Sequence, residues 1–212
     1  NATNFVLMNT EGQDCGQDES LPLGYSFVEH WIIGRLQETE IAVTKAFDTY
    51  RFDIAAQTLY EFLWSEYCDW YLELAKVQLQ SGWESSQRAT RRTLVRVLEV
   101  VLRLLHPIMP FITEDLWQVV APLANAKNTD SIMLANWPVA DSDKVSTTAF
   151  QKMATLQDLI GAVRNLRGEM GLAPSVKAPL FIEGGQELAD VLLYVPMMAR
   201  LSEAKLVDKL PE

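Results

Sequence analysis

The chain has 212 residues, of which 49% are hydrophobic and 22% charged, and its formal net charge is −10 at neutral pH. This length and composition are typical of one folded domain, or of one domain with a small appendage, and they exclude a globally disordered chain. The acidic balance repels polyphosphate at long range and argues against a protein that coats DNA or RNA. One local nucleic-acid surface stays compatible with it, because salt screens charges beyond about 10 Å.

The cysteines and the apolar runs indicate where such a chain works. Cys15 and Cys68 have neither the spacing of a zinc site nor that of a disulfide framework, which favours a reducing, cytoplasmic compartment. The apolar runs are interrupted before the roughly 20 residues that a bilayer-spanning helix needs, so we expect no membrane segment. Phosphate-binding and metal-binding motifs do not occur, and the residues alone predict neither a catalytic site nor a metal site.

The N-terminal part of the chain has the pattern of helices separated by loops. Residues 1–9 have helical spacing and are followed by a polar loop rich in turn formers. Ser26 and Glu29 have the spacing of a capping box, and the apolar residues after them predict a helix over 27–48.

Further helices follow. Asp53 can begin a helix that runs to about residue 80, because a carboxylate favours the positive end of a helix. The stretch "SGWESSQ" interrupts, and the pattern then predicts a helix over 88–106. Prolines in "HPIMP" end that helix, and Pro110 can start the next one.

The C-terminal part combines a long helix with short mixed elements. Residues 131–138 are expected to be extended, and apolar residues at intervals of three and four predict a helix over 141–170. A strand, a helix interrupted by Pro196 and a last strand follow. The predicted fold is therefore mainly α: a helical bundle over residues 1–140, and a long helix with a small α/β subdomain over residues 141–212.

An aromatic run in "RFDIAAQTLYEFLWSEYCDWYLELAK" could be a ligand box or a core stripe. On a helix of 3.6 residues per turn, one set of side chains shares a face, which favours core packing. Phe52 and Phe62 lie off that face. The set is Tyr60, Trp64, Tyr67, Tyr71 and Leu74.

Two charged faces accompany the aromatic run, and their roles stay open. Glu66, Asp69 and Glu73 share one helix face, and four arginines share a face of the next predicted helix. If the two helices are antiparallel, the faces can pair; alternatively, the arginines are free to contact phosphate. The four arginines are Arg88, Arg92, Arg96 and Arg103.

Several blocks resemble the region that follows the catalytic core in the valyl-tRNA synthetases. They occur in the family's order and cover nearly the whole chain. The longest matches are "YCDWYLE" and "HPIMPFITEDLW". The blocks are "NATNFVLMNTEG", "YRFDIAAQTLYEFLWSEYCDWYLELAK", "LLHPIMPFITEDLWQ" and "AVRNLRGEMGLAPS".

The resemblance implies a function that these residues alone do not predict. The family joins valine to tRNA(Val) with ATP and Mg²⁺, and the H-I-G-H and K-M-S-K-S signatures of its catalytic core are absent from this sequence. The expectation is an anticodon-binding fragment without catalytic, editing or C-terminal coiled-coil regions. Its expected partners are tRNA(Val) and its own catalytic core, with no DNA and no membrane, in a cytoplasmic monomer. The alternatives are a helical module that binds only protein, or the equivalent domain of an isoleucyl or leucyl synthetase.

The resemblance also implies which residues contact RNA. Phe5 holds the position of a ring that stacks on an anticodon base, and Asn1 and Asn9 lie one turn either side of it. Many relatives carry arginine where this chain has Asn4, which weakens the expectation of a phosphate contact there. A second expected group, in "VRNLRGE", has an equally plausible structural role at the end of a helix. That group is Arg164, Asn165 and Arg167.

Overall fold

The computed structural model of the protein describes residues 1–173 and 175–210. It confirms the mainly α-helical fold with a small α/β part, and it divides into two compact units, residues 1–146 and 147–212. Among the described helices, none has both the length and the apolar character needed to cross a membrane.

The first unit is a helical bundle built around one buried helix, α5. This helix contacts α1, α2, α3, α4 and α6 and buries residues along its whole length. Short 3-10 turns, Ile132–Leu134 and Ser142–Lys144, follow the last helix of the unit. The helices are α1 (Ala2–Thr10), α2 (Phe27–Asp48), α3 (Phe52–Glu61), a π-helical segment (Phe62–Tyr71), α4 (Leu72–Ser81), α5 (Glu84–Leu105) and α6 (Pro110–Leu123).

Local signals in the sequence set several helix ends. The capping box at the start of α2 is confirmed: the Ser26 hydroxyl accepts from the amide of Val28, and the Glu29 carboxylate accepts from the amide of Ser26 at 2.9 Å. Pro110 occupies the first turn of α6, as predicted. The predicted start of α5 at residue 88 was too late, because Glu84 lies in its first turn, where a carboxylate stabilises the positive helix end.

The predicted aromatic stripe is correct only in its second half. Tyr67, Tyr71 and Leu74 are fully buried, whereas Tyr60 and Trp64 are 59% and 58% exposed. The two exposed rings stack on each other with centroids 6.1 Å apart. Phe62, which the pattern placed off the stripe, is 2% exposed.

The π-helical segment explains this error. In a π-helix each amide bonds to the carbonyl five residues earlier, so buried positions repeat at a longer interval than on an α-helix. The buried face accordingly steps by five from Phe62 to Tyr67 and returns to α-helical spacing at Tyr71 and Leu74. The Tyr67 hydroxyl donates to the carbonyl of Leu94 in α5 at 2.9 Å, so its buried polar atom is satisfied.

One of the two alternatives for the charged faces, pairing between the acidic face and the arginine face, does not occur at Glu66 or Glu73. Glu66 pairs with Arg35 of α2 at 2.7 Å, and Glu73 pairs with Lys76 within α4. Three arginines of α5, Arg88, Arg91 and Arg92, contact the loop after α1 instead. Side chains therefore find partners on helices that the sequence pattern could not bring into contact.

The second unit has a long helix, α7 (Thr147–Glu169), and a pair of strands, β1 (Leu180–Glu183) and β2 (Ala204–Val207). The strands are parallel, with Leu180 opposite Ala204. A parallel pair needs a crossover connection, which here contains the short helices α8 (Ala189–Leu192) and α9 (Val195–Met198). The helix predicted over 141–170 begins only at Thr147, since residues 142–144 form a 3-10 turn.

The bundle buries carboxylates of α2 and α5. Glu29 accepts from Ser26 and from the Thr90 hydroxyl at 3.1 Å, and Glu99 accepts from Arg103 and from the Trp117 indole, each at 2.8 Å. Glu40 is also buried, and among the described residues its side chain accepts one bond, a long one from Gln37 at 3.4 Å.

The environment of Glu40 makes folding depend on pH. Burial raises the pKa of Glu40 to about 7, against the opposing effect of Arg103 and Lys144, while Glu99 adds to the rise. Because the folded state then holds this proton more tightly than the unfolded state, stability is greatest below the unfolded value and falls as pH rises toward 7.

We expect Glu40→Gln to remove this pH dependence. Between pH 5 and pH 7.5 the variant should gain about 1–2 kcal/mol of unfolding free energy relative to the wild type, after allowance for solvent screening. Urea denaturation at both pH values measures it, with Glu19→Gln, at an exposed site, as the control for losing one charge. An equal pH dependence in both variants would contradict the prediction.

Candidate nucleic-acid interface

Helix α1 presents three of the predicted contact residues on one face. Thr3, Val6 and Thr10 are buried and fix the opposite side, and α1 contacts α5 and α6. Positions separated by four residues lie on one face of a helix, so the side chains that point away from α5 and α6 at this spacing are aligned. These are Asn1, Phe5 and Asn9.

The Phe5 ring is half-buried and lies beside a lysine. The Lys76 ammonium of α4 lies 5.5 Å from the ring centroid, which is within the range of a cation–π contact. Asn9 donates an amide hydrogen to the Phe5 carbonyl at 2.7 Å, which leaves its second amide hydrogen and its oxygen as groups that a base edge can use. The face therefore combines a ring, amides and an ammonium group, and that ammonium also pairs with Glu73 of α4.

Asn4 lies next to this face rather than on it. Its position is about 100° around the helix axis from Phe5, and it is exposed together with Met8, one turn further on. A contact from Asn4 to RNA stays a prediction.

Arginines of α5 hold the loop that follows α1. Arg88 is 2% exposed and forms an ion pair with Asp14, and the guanidinium of Arg88 holds the pKa of that carboxyl below its usual value. Arg91 donates to the carbonyl of Asp14 at 2.9 Å, and Arg92 donates to the carbonyl of Gly16. Arg88 also donates to the carbonyls of Asp18, Leu21 and Pro22.

The second predicted group lies on α7, in the second unit. Arg164 and Asn165 are exposed near its C-terminal end. Arg167 instead donates to the carbonyls of Val176 at 2.8 Å, Arg200 at 3.2 Å and Ala173 at 3.3 Å. This arginine ties the end of α7 to the segments around β1 and β2, which agrees with the structural reading of that residue.

Sequence reasoning missed Lys76. It lies 71 positions after Phe5, and in the sequence it is one of many charged residues on a helix. Only the packing of the bundle brings α4 beside α1, so no spacing in the sequence could have identified the pair.

The chain matches a known protein family over most of its length. Residues 29–182 match the family described as the anticodon-binding domain of tRNA ligase. The chain therefore belongs to the anticodon-binding domain family of tRNA ligases.

Similar full-length proteins carry a more specific name. The chain is 68% identical over its whole length to the valine–tRNA ligases of Laribacter hongkongensis and Chromobacterium violaceum. It is 48% identical, again over its whole length, to the valine–tRNA ligase of Dechloromonas aromatica. In each case it spans 23% of the length of the relative.

We expect Arg88→Gln to loosen the loop and destabilise the first unit. The change leaves Asp14 without its cation and removes donors from three carbonyls, so the unfolding free energy should fall by about 3 kcal/mol, the low end for breaking a buried pair. Urea denaturation measures the loss, and amide hydrogen exchange over residues 11–25 should accelerate. Arg51→Gln, which breaks the exposed pair with Asp53, is the matched control and should change little. Equal stability in the two variants would contradict the prediction that Arg88 holds the loop after α1 in place.

Proposed function

We propose that this chain binds the anticodon stem-loop of tRNA(Val) as part of a valine–tRNA ligase. The three relatives named above match its whole length and bear that name, which supports the valine branch over the isoleucyl and leucyl ones. One structural observation carries the proposal: the partly exposed Phe5 ring lies on α1 between two asparagines and beside Lys76.

Each group on this face suits one part of an unpaired loop. A base of single-stranded RNA stacks on an aromatic ring, and amides bond to its edges. The Lys76 ammonium attracts the neighbouring phosphate. The ring and the amides discriminate between bases, and the lysine adds binding affinity that does not depend on the RNA sequence.

A second RNA contact is proposed at Arg164 and Asn165. Both side chains are exposed and so are accessible to RNA. The Arg167 side chain, in contrast, binds backbone carbonyls of its own unit. We assign Arg167 to positioning the end of α7.

The remaining steps of the reaction belong to other parts of such a ligase. Among residues 1–173 and 175–210, no group of His, Cys, Asp and Glu side chains could hold a metal ion. The chain spans 23% of the length of these valine–tRNA ligases, and we propose that ATP and Mg²⁺ bind in another region of such a ligase, which is a cytoplasmic monomer. A module that binds only protein remains the contrasting hypothesis.

A titration with two stem-loops tests the proposal. Fluorescently labelled anticodon stem-loops, one of tRNA(Val) and one with the anticodon exchanged, are titrated with the chain at low and moderate salt. Tighter binding of the valine stem-loop supports the proposal. Equal binding of both, or binding of neither, would contradict it.

Phe5→Ala should weaken stem-loop binding without unfolding the chain. Loss of one stacked base costs about 1–3 kcal/mol, which corresponds to a roughly 5-fold to 150-fold higher Kd. Met8→Ala, on the same helix at a residue that is 84% exposed, is the matched control and should leave the Kd unchanged. An unchanged Kd for Phe5→Ala, together with an unchanged melting curve, would exclude stacking on this ring.

Lys76→Gln should weaken the binding of both stem-loops to the same extent. It should also reduce the slope of log Kd against log salt by about one unit of charge, since one phosphate contact is lost. Lys45→Gln, on the exposed side of α2, is the control for a lost charge. A selective effect on one anticodon would show that Lys76 reads a base rather than a phosphate.

A further inference from the structure

A cavity of about 740 Å³ lies between α2 and α5, apart from the face around Phe5. The segment that contains Trp137 and residues 138–146 lines its remaining side. This volume lies in the range of sites that hold small molecules, about 300–1,000 Å³. The anticodon proposal assigns it no role.

The two helices run parallel along the cavity and give it two different ends. Thr90 of α5 bonds to Glu29 of α2, and thirteen residues further along α5, Arg103 lies close enough to Glu40 to act on its pKa. His30, Arg92 and Arg96 therefore line one end, which is cationic. Glu40, Trp137 and Lys144 line the other.

The cationic end has more positive charge than the surrounding side chains neutralise. Arg92 donates to the Gly16 carbonyl, a neutral acceptor, and Arg96 has no hydrogen-bond or ion-pair partner among the described residues. Burial and the charge of Arg92 lower the pKa of Arg96. The Glu99 carboxylate, which is paired with Arg103, opposes this only in part. Two arginines four residues apart on one helix repel each other. Of the described residues that line the cavity, the acidic ones are Glu40 and Asp143, and Glu40 lies at the opposite end. An anion between the two guanidinium groups would remove this repulsion.

Guanidinium groups suit one anion above others. Their planar fork binds phosphate oxygens through two parallel hydrogen bonds, and two such forks can hold one phosphate. The other end of the cavity contains both the Lys144 ammonium and the Glu40 carboxyl group, so positive charge predominates only at the end with the two arginines.

The rings that line the cavity are held in place. The Trp137 indole donates to the Thr44 hydroxyl at 2.9 Å and contacts the Phe47 ring edge-on, with centroids 5.5 Å apart. Tyr25 and His30 pack together at 5.8 Å. Fixed rings and a carboxyl group are the features that bind nucleobases, by stacking and by bonds to the base edge. An acidic peptide fits less well, because Glu40 and Asp143 would repel it.

We propose that this cavity binds a nucleotide, with its phosphate between Arg92 and Arg96 and its base toward Trp137 and Glu40. A free nucleotide and one nucleotide of an RNA strand present the same groups. The site does not depend on Phe5, so it can exist whether or not the anticodon proposal holds.

The experiment is an NMR titration that follows the indole N–H signals of the six tryptophans. Trp137→Phe identifies the signal of Trp137. The probes are the four ribonucleoside 5′-monophosphates, the corresponding nucleosides, inorganic phosphate, hexaglutamate and the anticodon stem-loop. We expect at least one monophosphate to shift the Trp137 signal, and its nucleoside to bind at least fivefold more weakly.

Arg96→Gln is the main variant, because its side chain lies exposed at the cavity and supports no other described contact. We expect it to raise the Kd of the monophosphate about tenfold or more, as for a lost bond to a charged group. Arg96→Lys should restore part of the affinity. Arg51→Gln, an equal loss of charge outside the cavity, should leave the Kd unchanged.

The outcomes separate the possible sources of the ligand. A Trp137 shift with both monophosphate and stem-loop supports a nucleotide of an RNA strand, and a shift with the monophosphate alone supports a free nucleotide. Phe5→Ala should leave monophosphate binding intact, so failure of the anticodon proposal is visible separately. A Trp137 signal that responds to no nucleotide, or that responds only to hexaglutamate, would overturn the proposal, as would equal weakening by Arg51→Gln.

Discussion

The burial of α5 along its whole length is the constraint on which the rest of the first unit depends. Five other helices contact it, and its apolar residues, among them Leu94, Leu98 and Leu104, are fully or nearly fully buried. A buried leucine contributes roughly 1.5–3 kcal/mol, so this one helix accounts for a large part of the apolar stabilisation. Its buried polar residues need partners as well, and Arg88 and Arg91 find them in the loop after α1, the helix that carries Phe5.

Helix ends that a local signal marks were predicted correctly, whereas the starts of α5 and α7 and the buried face of the aromatic run were not. Ends depend on local chemistry, as at the capping box of Ser26 and Glu29 and at Pro110, and these were correct. Faces depend on the hydrogen-bond pattern along the whole helix. The π-helical segment shifts that pattern, so that Tyr60 and Trp64 reach solvent while Phe62 enters the core. A periodicity of 3.6 residues has no means of detecting such a shift.

In the candidate site, too, local features could be predicted and contacts between distant helices could not. Phe5 and its two asparagines came from a resemblance and from helical spacing along nine residues, and α1 aligns them as expected. Lys76 and the cavity depend on contacts between helices far apart in the chain, which spacing cannot predict. Arg167 shows that residue type alone can also mislead. An arginine suits RNA, yet the bonds of Arg167 to three backbone carbonyls are consistent with a structural role.

The acidic balance gives these few cations their importance. With 28 acidic and 18 basic side chains, the chain repels an RNA strand over most of its surface, and attraction is confined to short distances from particular groups. We therefore expect non-specific RNA binding, which depends on many phosphate contacts, to be weak. What remains is stacking on rings and bonding to base edges, and both differ from one base to another. Under the proposed function, a negatively charged scaffold would make recognition depend on the bases more than on the phosphates, which is the property that distinguishing anticodons requires.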